Sequence, residues 1–361
     1  STYYRQALPA WVDAFNARRS VESYFGQTWN RLLPTEVYDA VQGPDDAAGE
    51  LVGDGLDRTF PHVIDGGMNR PAGAFYAAFD SAPFASEFIA AFARELIERE
   101  DLGTDDVPDL LCLSFSQIDS LGHNYGPDSH EIMDAMLRLD RTLASFLAFL
   151  DERVGAGRYT VVLTADHGVA PMPERSDALA GGEPRHRVRG KDLDTRMEAA
   201  LASALGSLPP DELYLVRDNQ GYHFRSSALA TRTIEREHAA RVLRDALRRD
   251  PLVEAAYTRA EVLAASREGD SLLTLVRRSY HEARGQDVVY VLKPNFVEKS
   301  DFGTNHGSPW LYDRHVPQVW YGVGVPRAWR SDPVGVDDIA PTLAVILGVP
   351  PPTEATGRRV F

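Results

Sequence analysis

The chain has 361 residues, of which 43% are hydrophobic and 25% are charged, a composition typical of globular proteins. Its 53 acidic and 38 basic residues give a net charge of −15. This charge argues against nucleic acid as a partner, because neutralising a phosphate backbone requires a basic face. No apolar run approaches the roughly 18 to 20 residues that a membrane-spanning helix needs, so no membrane span is predicted. The length suits one large domain with an insertion, or two domains.

Two short apolar runs, residues 109–116 and 159–163, predict buried strands. The segment between them has apolar residues at helical spacing and begins after Ser129, a residue type that caps helices. Strand, helix and strand in this order predict a βαβ unit with parallel strands, and therefore an α/β fold. The single cysteine, Cys112, lies in the first run and is expected to pack there as a small hydrophobic residue.

Polar residues that can bind a metal follow both predicted strands. Asp119 and His123 lie in a predicted loop after the first strand, and Asp166 and His167 come directly after the second. The carboxyl ends of parallel strands are where ligands and catalytic groups collect in open α/β sheets. A further histidine, His306, stands late in the chain between Asn and Gly. Carboxylate oxygens and imidazole nitrogens suit zinc, so the five residues predict a metal site.

The segment between the last two metal motifs differs in character from the rest. Residues 181–299 mix helical periodicity with short strand patterns, whereas 1–180 and 300–361 carry the βαβ unit and the metal motifs. His306 follows His167 by 139 positions and should nevertheless return to the same site. We therefore expect residues 181–299 to form an inserted α+β cap on a core made by the flanking segments.

A cluster of basic residues precedes the predicted cap. Arg185, His186, Arg187 and Arg189 lie in a stretch without periodicity. They form either a patch that recruits phosphate or, as is commoner for such runs, a solvated loop.

Three motifs resemble those of the alkaline phosphatase superfamily. They are Asp119-Ser120-Leu121-Gly122-His123, Thr164-Ala165-Asp166-His167-Gly168 and Asn305-His306-Gly307. The stretches Gly126-Pro127-Asp128-Ser129 and Arg138-Leu139-Asp140 are similar to the phosphate-irrepressible alkaline phosphatases within it. The resemblance implies a doubly wound, mostly parallel sheet with an inserted α+β cap.

The resemblance also implies a ligand set for two zinc ions. Asp119, His123 and His306 match the ligands of one zinc, and Asp166 and His167 match two ligands of the second.

Two neighbours of these motifs are candidates for supporting contacts behind the ligands. Asn305 directly precedes His306, and His315 directly precedes Val316-Pro317.

The activity implied by the resemblance is zinc-dependent hydrolysis of phosphate monoesters through a phosphoryl-enzyme, on a small phosphate-ester substrate. In that family the nucleophilic Thr, an Asp that completes the second zinc, and the groups that contact the phosphoryl lie upstream of the matched segment. The chain resembles the C-terminal two-thirds of such an enzyme, so no catalytic nucleophile is expected within it. We expect at least one zinc to bind weakly and little hydrolysis by the chain alone. Family members of this branch are typically exported, which favours the periplasm.

Other functions on the same scaffold remain open. A phosphodiesterase or nucleotide pyrophosphatase would share the metal ligands, and a metal-binding fragment without catalysis is a third possibility. A sulfatase is disfavoured, because Cys112 is followed by Leu-Ser-Phe and not by the Cys-x-Pro-x-Arg pattern of those enzymes.

Overall fold

The structure is a computed structural model that describes residues 5–50, 55–175, 186–299, 301–329 and 331–361. Two compact units are formed, one by the chain up to Asp166 together with Val316–Phe361, and the other by His167–His315. The predicted division into a core and a cap at residues 181–299 stays a prediction. Arg185 lies outside the described residues.

The first unit is mainly helical. Along the described residues up to Asp166, its elements are α1 (Ala10–Ala17), β1 (Gln27–Trp29), α2 (Thr35–Gln42), β2 (His62–Ile64), α3 (Gly73–Asp80), α4 (Phe84–Arg99), α5 (Gln117–Tyr125), α6 (His130–Leu150) and β3 (Thr160–Thr164). Strands β1 and β2 pair antiparallel, with Trp29 opposite His62. Ile64 of β2 and Trp29 of β1 lie in the apolar core of this unit.

The second unit contains a sheet with helices packed on it. Its elements are β4 (His186–Arg187), α7 (Gly190–Leu205), β5 (Leu215–Arg217), β6 (Gly221–Phe224), α8 (Ser226–Arg232), α9 (Arg236–Arg249), β7 (Val253–Thr258), α10 (Arg259–Ala264), α11 (Leu272–Ser279), β8 (Val288–Leu292), β9 (Phe296–Val297) and α12 (Leu311–Arg314). The antiparallel sheet has the order β5-β6-β8-β7, and β4 pairs parallel with β9. Leucines of α7 and α9 pack with Tyr222 and Tyr290 of the sheet in one core.

The chain then returns to the first unit with β10 (Gln318–Gly322) and α13 (Ile339–Leu347). Strand β10 pairs antiparallel with β3 along its whole length, so that Gln318 lies opposite Thr164. The end of β3, after which Asp166 follows, is thereby held by a ladder.

Helix α5 is fixed by an aromatic core in the first unit. Its residues Leu121 and Tyr125 are fully buried beside Trp29, Phe60 and other aromatic side chains. The Tyr125 hydroxyl also donates a hydrogen bond to a backbone carbonyl, that of Asp57, at 2.8 Å. Burying each such side chain contributes about 1.5–3 kcal/mol, so the helix has a defined position.

A buried carboxylate, that of Asp134 on α6, connects the helix to the N-terminal segment. It accepts hydrogen bonds from the Trp29 indole, the Tyr38 hydroxyl and the Leu32 backbone N–H at 2.6–2.7 Å. The Arg138 guanidinium, one helical turn further on, donates to it at 2.6 Å. Every partner except Arg138 comes from residues 29–38, so this one side chain anchors that segment on α6.

Glu131, which lies on α6 three positions before Asp134, belongs to a second buried polar pair. His62 Nε2 is 2.9 Å from Glu131 Oε1, and both side chains are fully buried. Burial lowers the pKa of His62 to about 4 and raises the pKa of Glu131 well above its ordinary value. Both shifts favour the neutral forms, because a low-dielectric interior disfavours charge.

Several predicted elements are confirmed. Strand β3 lies within one residue of the predicted strand, and α6 occupies the predicted helical segment between the two apolar runs. The Ser129 hydroxyl accepts a hydrogen bond from the Ile132 N–H at 3.1 Å and caps α6 as expected.

The predicted strand at residues 109–116 is wrong for this structure. The run is not part of any ladder among the described residues, and Leu110 is 65% exposed. Cys112, expected to be packed, is exposed. Leu111 and Leu113 pack on the cluster of Ala90, Ala93, Ile97 and Phe146, so one side of the run is partly covered. A buried strand also needs hydrogen-bonded neighbours along its edges, and no described strand pairs with this run. The expected parallel βαβ pairing with β3 is absent from the described residues for the same reason.

None of the helices in the described ranges combines the length and the apolar character that crossing a bilayer demands.

Replacing Asp134 tests its anchoring role. We expect Asp134→Ala to lower the free energy of unfolding by about 3–5 kcal/mol, because it removes the charge partner of Arg138 and the acceptor of the buried Trp29 indole and Tyr38 hydroxyl. Asp140→Ala, an exposed carboxylate on the same helix, is the matched control and should change stability by less than about 0.5 kcal/mol. Urea unfolding followed by circular dichroism measures both. Equal stabilities of the two variants would contradict the anchoring role.

The His62 shift predicts a specific pH dependence. Its folded pKa of about 4 lies below the ordinary value of roughly 6.5, so the unfolded chain binds more protons between these values. The contribution of His62 to stability therefore falls as the pH drops from about 6.5 to 4. Glu131 acts in the opposite sense, since its raised pKa favours folding at low pH and that gain is lost as the pH rises. NMR titration of the His62 ring should give a midpoint near 4 in the folded chain; a midpoint near 6.5 would contradict the burial argument.

Candidate metal centre

Asp119 and His123 lie on helix α5, and not in a loop as the sequence suggested. Their i,i+4 spacing puts both side chains on one face, where His123 Nε2 is 3.5 Å from Asp119 Oδ2. The helix stops at Gly126, whose φ of 79° is a left-handed conformation that glycine tolerates. The Gly126 N–H bonds to the Gly122 carbonyl at 3.0 Å and closes the last turn.

This face of α5 is accessible, whereas the other is buried. The side chains of Asp119 and His123 are 43% and 26% exposed, while Leu121 and Tyr125 are in the core. The helix therefore presents a carboxylate and an imidazole from a rigid support.

Asp166 and His167 follow β3 directly, as predicted. Nδ1 of His167 lies 2.8 Å from the Gly168 carbonyl oxygen. Since a carbonyl can only accept, Nδ1 carries the proton and Nε2 carries the lone pair. This is the tautomer that a metal-ligating histidine adopts when its other nitrogen is hydrogen-bonded.

The structure brings His167 and His306 together within the second unit. Their rings stack with centroids 3.5 Å apart at an angle of 15°. The stack places two imidazoles, a ring type that commonly binds metals, side by side. The contact is supported by the Thr304 hydroxyl, which donates to the Ala170 carbonyl at 2.7 Å, and by the Ala170 N–H, which donates to the Asn305 carbonyl at 3.2 Å.

Hydrogen bonds and close backbone packing at Gly168 and Asp313 stabilise the segments that carry the two histidines. The Gly168 N–H donates to the Asp313 carbonyl at 2.7 Å, and a Cβ at Gly168 would overlap the Tyr312 carbonyl. The buried Asp313 carboxylate accepts from the Ser308 N–H and hydroxyl at 2.8 and 2.5 Å. Sequence reasoning missed Asp313, because an Asp beside an Arg is usually a solvated residue; its spacing of five from Ser308 was the available signal.

The two predicted supporting residues have different surroundings. Asn305 contributes its backbone carbonyl to the contact with Ala170, and its side-chain amide lies 3.5 Å from the Glu298 carbonyl. His315 is exposed at the end of α12, with its backbone N–H bonded to the Leu311 carbonyl at 2.9 Å. A role of either side chain behind the ligands stays a prediction.

The basic cluster does not act as one patch. Arg187 is neither solvated nor available to recruit phosphate, because its side chain is only 12% exposed and forms an ion pair with Glu174 at 2.5 Å. It also donates to the Gly303 carbonyl at 2.7 Å and so connects the segment after His167 to the segment before His306. Arg189 is exposed and pairs with Asp301.

Comparison with known proteins identifies the family. The type I phosphodiesterase/nucleotide pyrophosphatase family matches residues 3–309, so the chain belongs to it. Over its whole length the chain is 28% identical to alkaline phosphatase PafA of Elizabethkingia meningoseptica. It is 31% identical to a protein of Myroides odoratus named calcium-transporting ATPase, and 28% identical to alkaline phosphatase PhoV of Synechococcus elongatus.

The fold of the chain is that of a solved relative. The crystal structure of wild-type alkaline phosphatase PafA matches 99% of this chain, with a TM-score of 0.87 at 28% identity. The alkaline phosphatase-like α/β fold expected from the three motifs is thereby confirmed. The chain spans 64%, 65% and 63% of the length of the three curated relatives, and 67% of the solved chain.

The close approach at Gly168 gives a test of the site's support. We expect Gly168→Ala to lower the free energy of unfolding by about 1–3 kcal/mol, because the added methyl overlaps a backbone carbonyl that cannot move aside cheaply. Gly73→Ala at the start of α3 is the control, since a Cβ there has no neighbour within 4 Å. Thermal unfolding of both variants measures the difference, and a Gly168→Ala chain as stable as the control would refute the packing argument.

Proposed function

We propose that the protein hydrolyses phosphate monoesters with bound zinc. The observation that carries the proposal is the stacked pair of His167 and His306, with the Nε2 lone pair of His167 fixed by the bond from Nδ1 to Gly168. The relatives PafA and PhoV are alkaline phosphatases by name, which supports a small phosphate monoester as the substrate.

The proposed ligands divide into two sets. Asp119, His123 and His306 bind one zinc, and Asp166 and His167 contribute to a second. Carboxylate oxygen and imidazole nitrogen are the usual donors for zinc where thiolates are absent, so the donor set fits the ion. When bound, zinc supplies positive charge that stabilises the attacking and leaving oxygens of phosphoryl transfer.

The chain's own side chains determine the charge and the geometry that an anionic substrate would meet. Asp119 and Asp166 would repel a phosphate dianion, and a bound cation would offset this repulsion. Helix α5 presents Asp119 and His123 on one face, which reduces the entropy lost on binding. The bond between His167 and Gly168 fixes the ring orientation. We propose that Asn305 and His315 support the ligands from behind.

A second candidate is hydrolysis of phosphodiesters. The family description names phosphodiesterase and nucleotide pyrophosphatase, and the same metal ligands would serve. A catalytically inactive metal-binding chain is a third candidate. Rates of the full-length protein on p-nitrophenyl phosphate and bis(p-nitrophenyl) phosphate separate them. Faster monoester cleavage supports the first, faster diester cleavage the second, and no zinc-dependent cleavage of either the third.

Zinc content tests the ligand assignment independently of activity. We expect the parent chain to bind zinc and Asp119→Ala to lose affinity at least about tenfold, because outer contacts alone account for changes of that size. Asp106→Ala, an exposed carboxylate elsewhere, is the control and should bind like the parent. Elemental analysis after dialysis against a series of fixed free zinc concentrations measures the zinc content and the affinity of each variant.

Two outcomes would reject the assignment. One is equal zinc content in Asp119→Ala and the parent, and the other is a folded parent without zinc.

We also propose that the protein works in the periplasm or outside the cell, which fractionation of the producing cells would test.

A further inference from the structure

A cleft between helices α4 and α6 has no part in the proposed metal centre. Its volume is about 290 Å³, and it is lined by Leu32, Glu87, Ala90, Arg94, Arg138, Arg141, Thr142 and Ser145. Residues at helical spacing line each side, so the two helices place their polar stripes against the same space. Three arginines in a cleft of this size, on a chain with net charge −15, require an explanation.

The charge of Arg138 is already matched within the protein. Its Nε donates to the buried Asp134 carboxylate at 2.6 Å, and its Nη2 donates to the Asn30 carbonyl at 2.7 Å. It therefore acts as a fixed wall of the cleft.

Only some of the hydrogen-bond donors of the Arg94 guanidinium have acceptors. Its Nη2 donates to the Ser145 hydroxyl at 2.7 Å, and its guanidinium lies over the Phe149 ring at 5.7 Å. Its Nε, however, is buried and has no hydrogen-bond partner among the described residues. A buried donor without an acceptor is unfavourable, and such groups in folded proteins usually mark a bound water or ion.

Arg141 adds a second donor to the same space. Within the described part of the chain it forms no hydrogen bond or ion pair. Glu87 is the acidic residue in the lining. Because Asp134 already matches the charge of Arg138, Arg94 and Arg141 together outweigh the single carboxylate of Glu87, and the cleft keeps an excess of positive charge.

We propose that this cleft binds a small oxyanion, a phosphate or carboxylate group, through Arg94 and Arg141. Guanidinium groups match the geometry of such groups and form charge-assisted hydrogen bonds with them. The volume of about 290 Å³ admits inorganic phosphate or a small phosphorylated or dicarboxylic metabolite. The inference stands independently of the proposed hydrolytic function.

The test is an NMR titration that observes the Arg94 Nε–H directly. The labelled full chain is titrated with inorganic phosphate and, separately, with malonate, against sodium chloride at equal ionic strength. We expect a saturable shift of the Arg94 signal with a Kd of about 1 mM, and Arg141→Ala should weaken binding about tenfold. The stronger of phosphate and malonate identifies the class of anion. A shift equal in sodium chloride, or unchanged in Arg141→Ala, would overturn the proposal in favour of a bound water.

Three controls keep the result specific. Arg99→Ala removes an exposed arginine from the same helix α4 and should leave binding unchanged. Asp119→Ala should also leave it unchanged, so a shift that disappears in this variant arises at the proposed metal centre and rejects the cleft. Arg94→Lys keeps the charge but removes the buried Nε–H, and calorimetry should show weaker phosphate binding with an unaltered circular dichroism spectrum.

Discussion

The buried carboxylate of Asp134 is the interaction on which the first unit depends. It receives hydrogen bonds from the N-terminal segment and from Arg138, so α6 and residues 29–38 are connected by one side chain. Helix α6 starts at a Ser129 cap just after α5, and Leu121 and Tyr125 of α5 pack in the core that contains Trp29. The same carboxylate thus acts through Trp29 on the helix that bears Asp119. The face of α5 that carries Asp119 and His123 is therefore positioned in part by a polar contact that neither residue makes.

Sequence periodicity predicted the elements whose formation depends mainly on residues close together in the chain. Helix α6 with its Ser129 cap and strand β3 follow from apolar spacing and from a residue type that bonds to its own helix. The run at residues 109–116 has the same strand composition, but strand formation requires a partner that composition does not specify. Leu110 and Cys112 of this run are exposed. An apolar run therefore indicates only that a segment can be buried, and tertiary contacts decide whether it is.

The candidate site likewise contains one pair of residues that is close in sequence and one pair that is distant. The pairing of Asp119 with His123 is local, because any helix brings residues four apart together; only the helix itself was missed, since Asp-Ser-Leu-Gly-His has few apolar residues. The contact of His167 with His306 spans 139 positions and depends on bonds between Thr304 and Ala170. No periodicity could have predicted it, and the expectation came from the motifs alone.

Arg187 and Asp313 explain how this distant contact is maintained. Arg187 bonds to Glu174 and to the Gly303 carbonyl, and Asp313 bonds to Ser308 through its carboxylate and to Gly168 through its carbonyl. These bonds join the segment after His167 to the segments on both sides of His306, so the two imidazoles are stacked by a polar frame rather than by hydrophobic packing. Because each bond in such a frame depends on its partners, loss of one should loosen the histidine pair before it unfolds the second unit, whose apolar core lies on the sheet formed by β5 to β8.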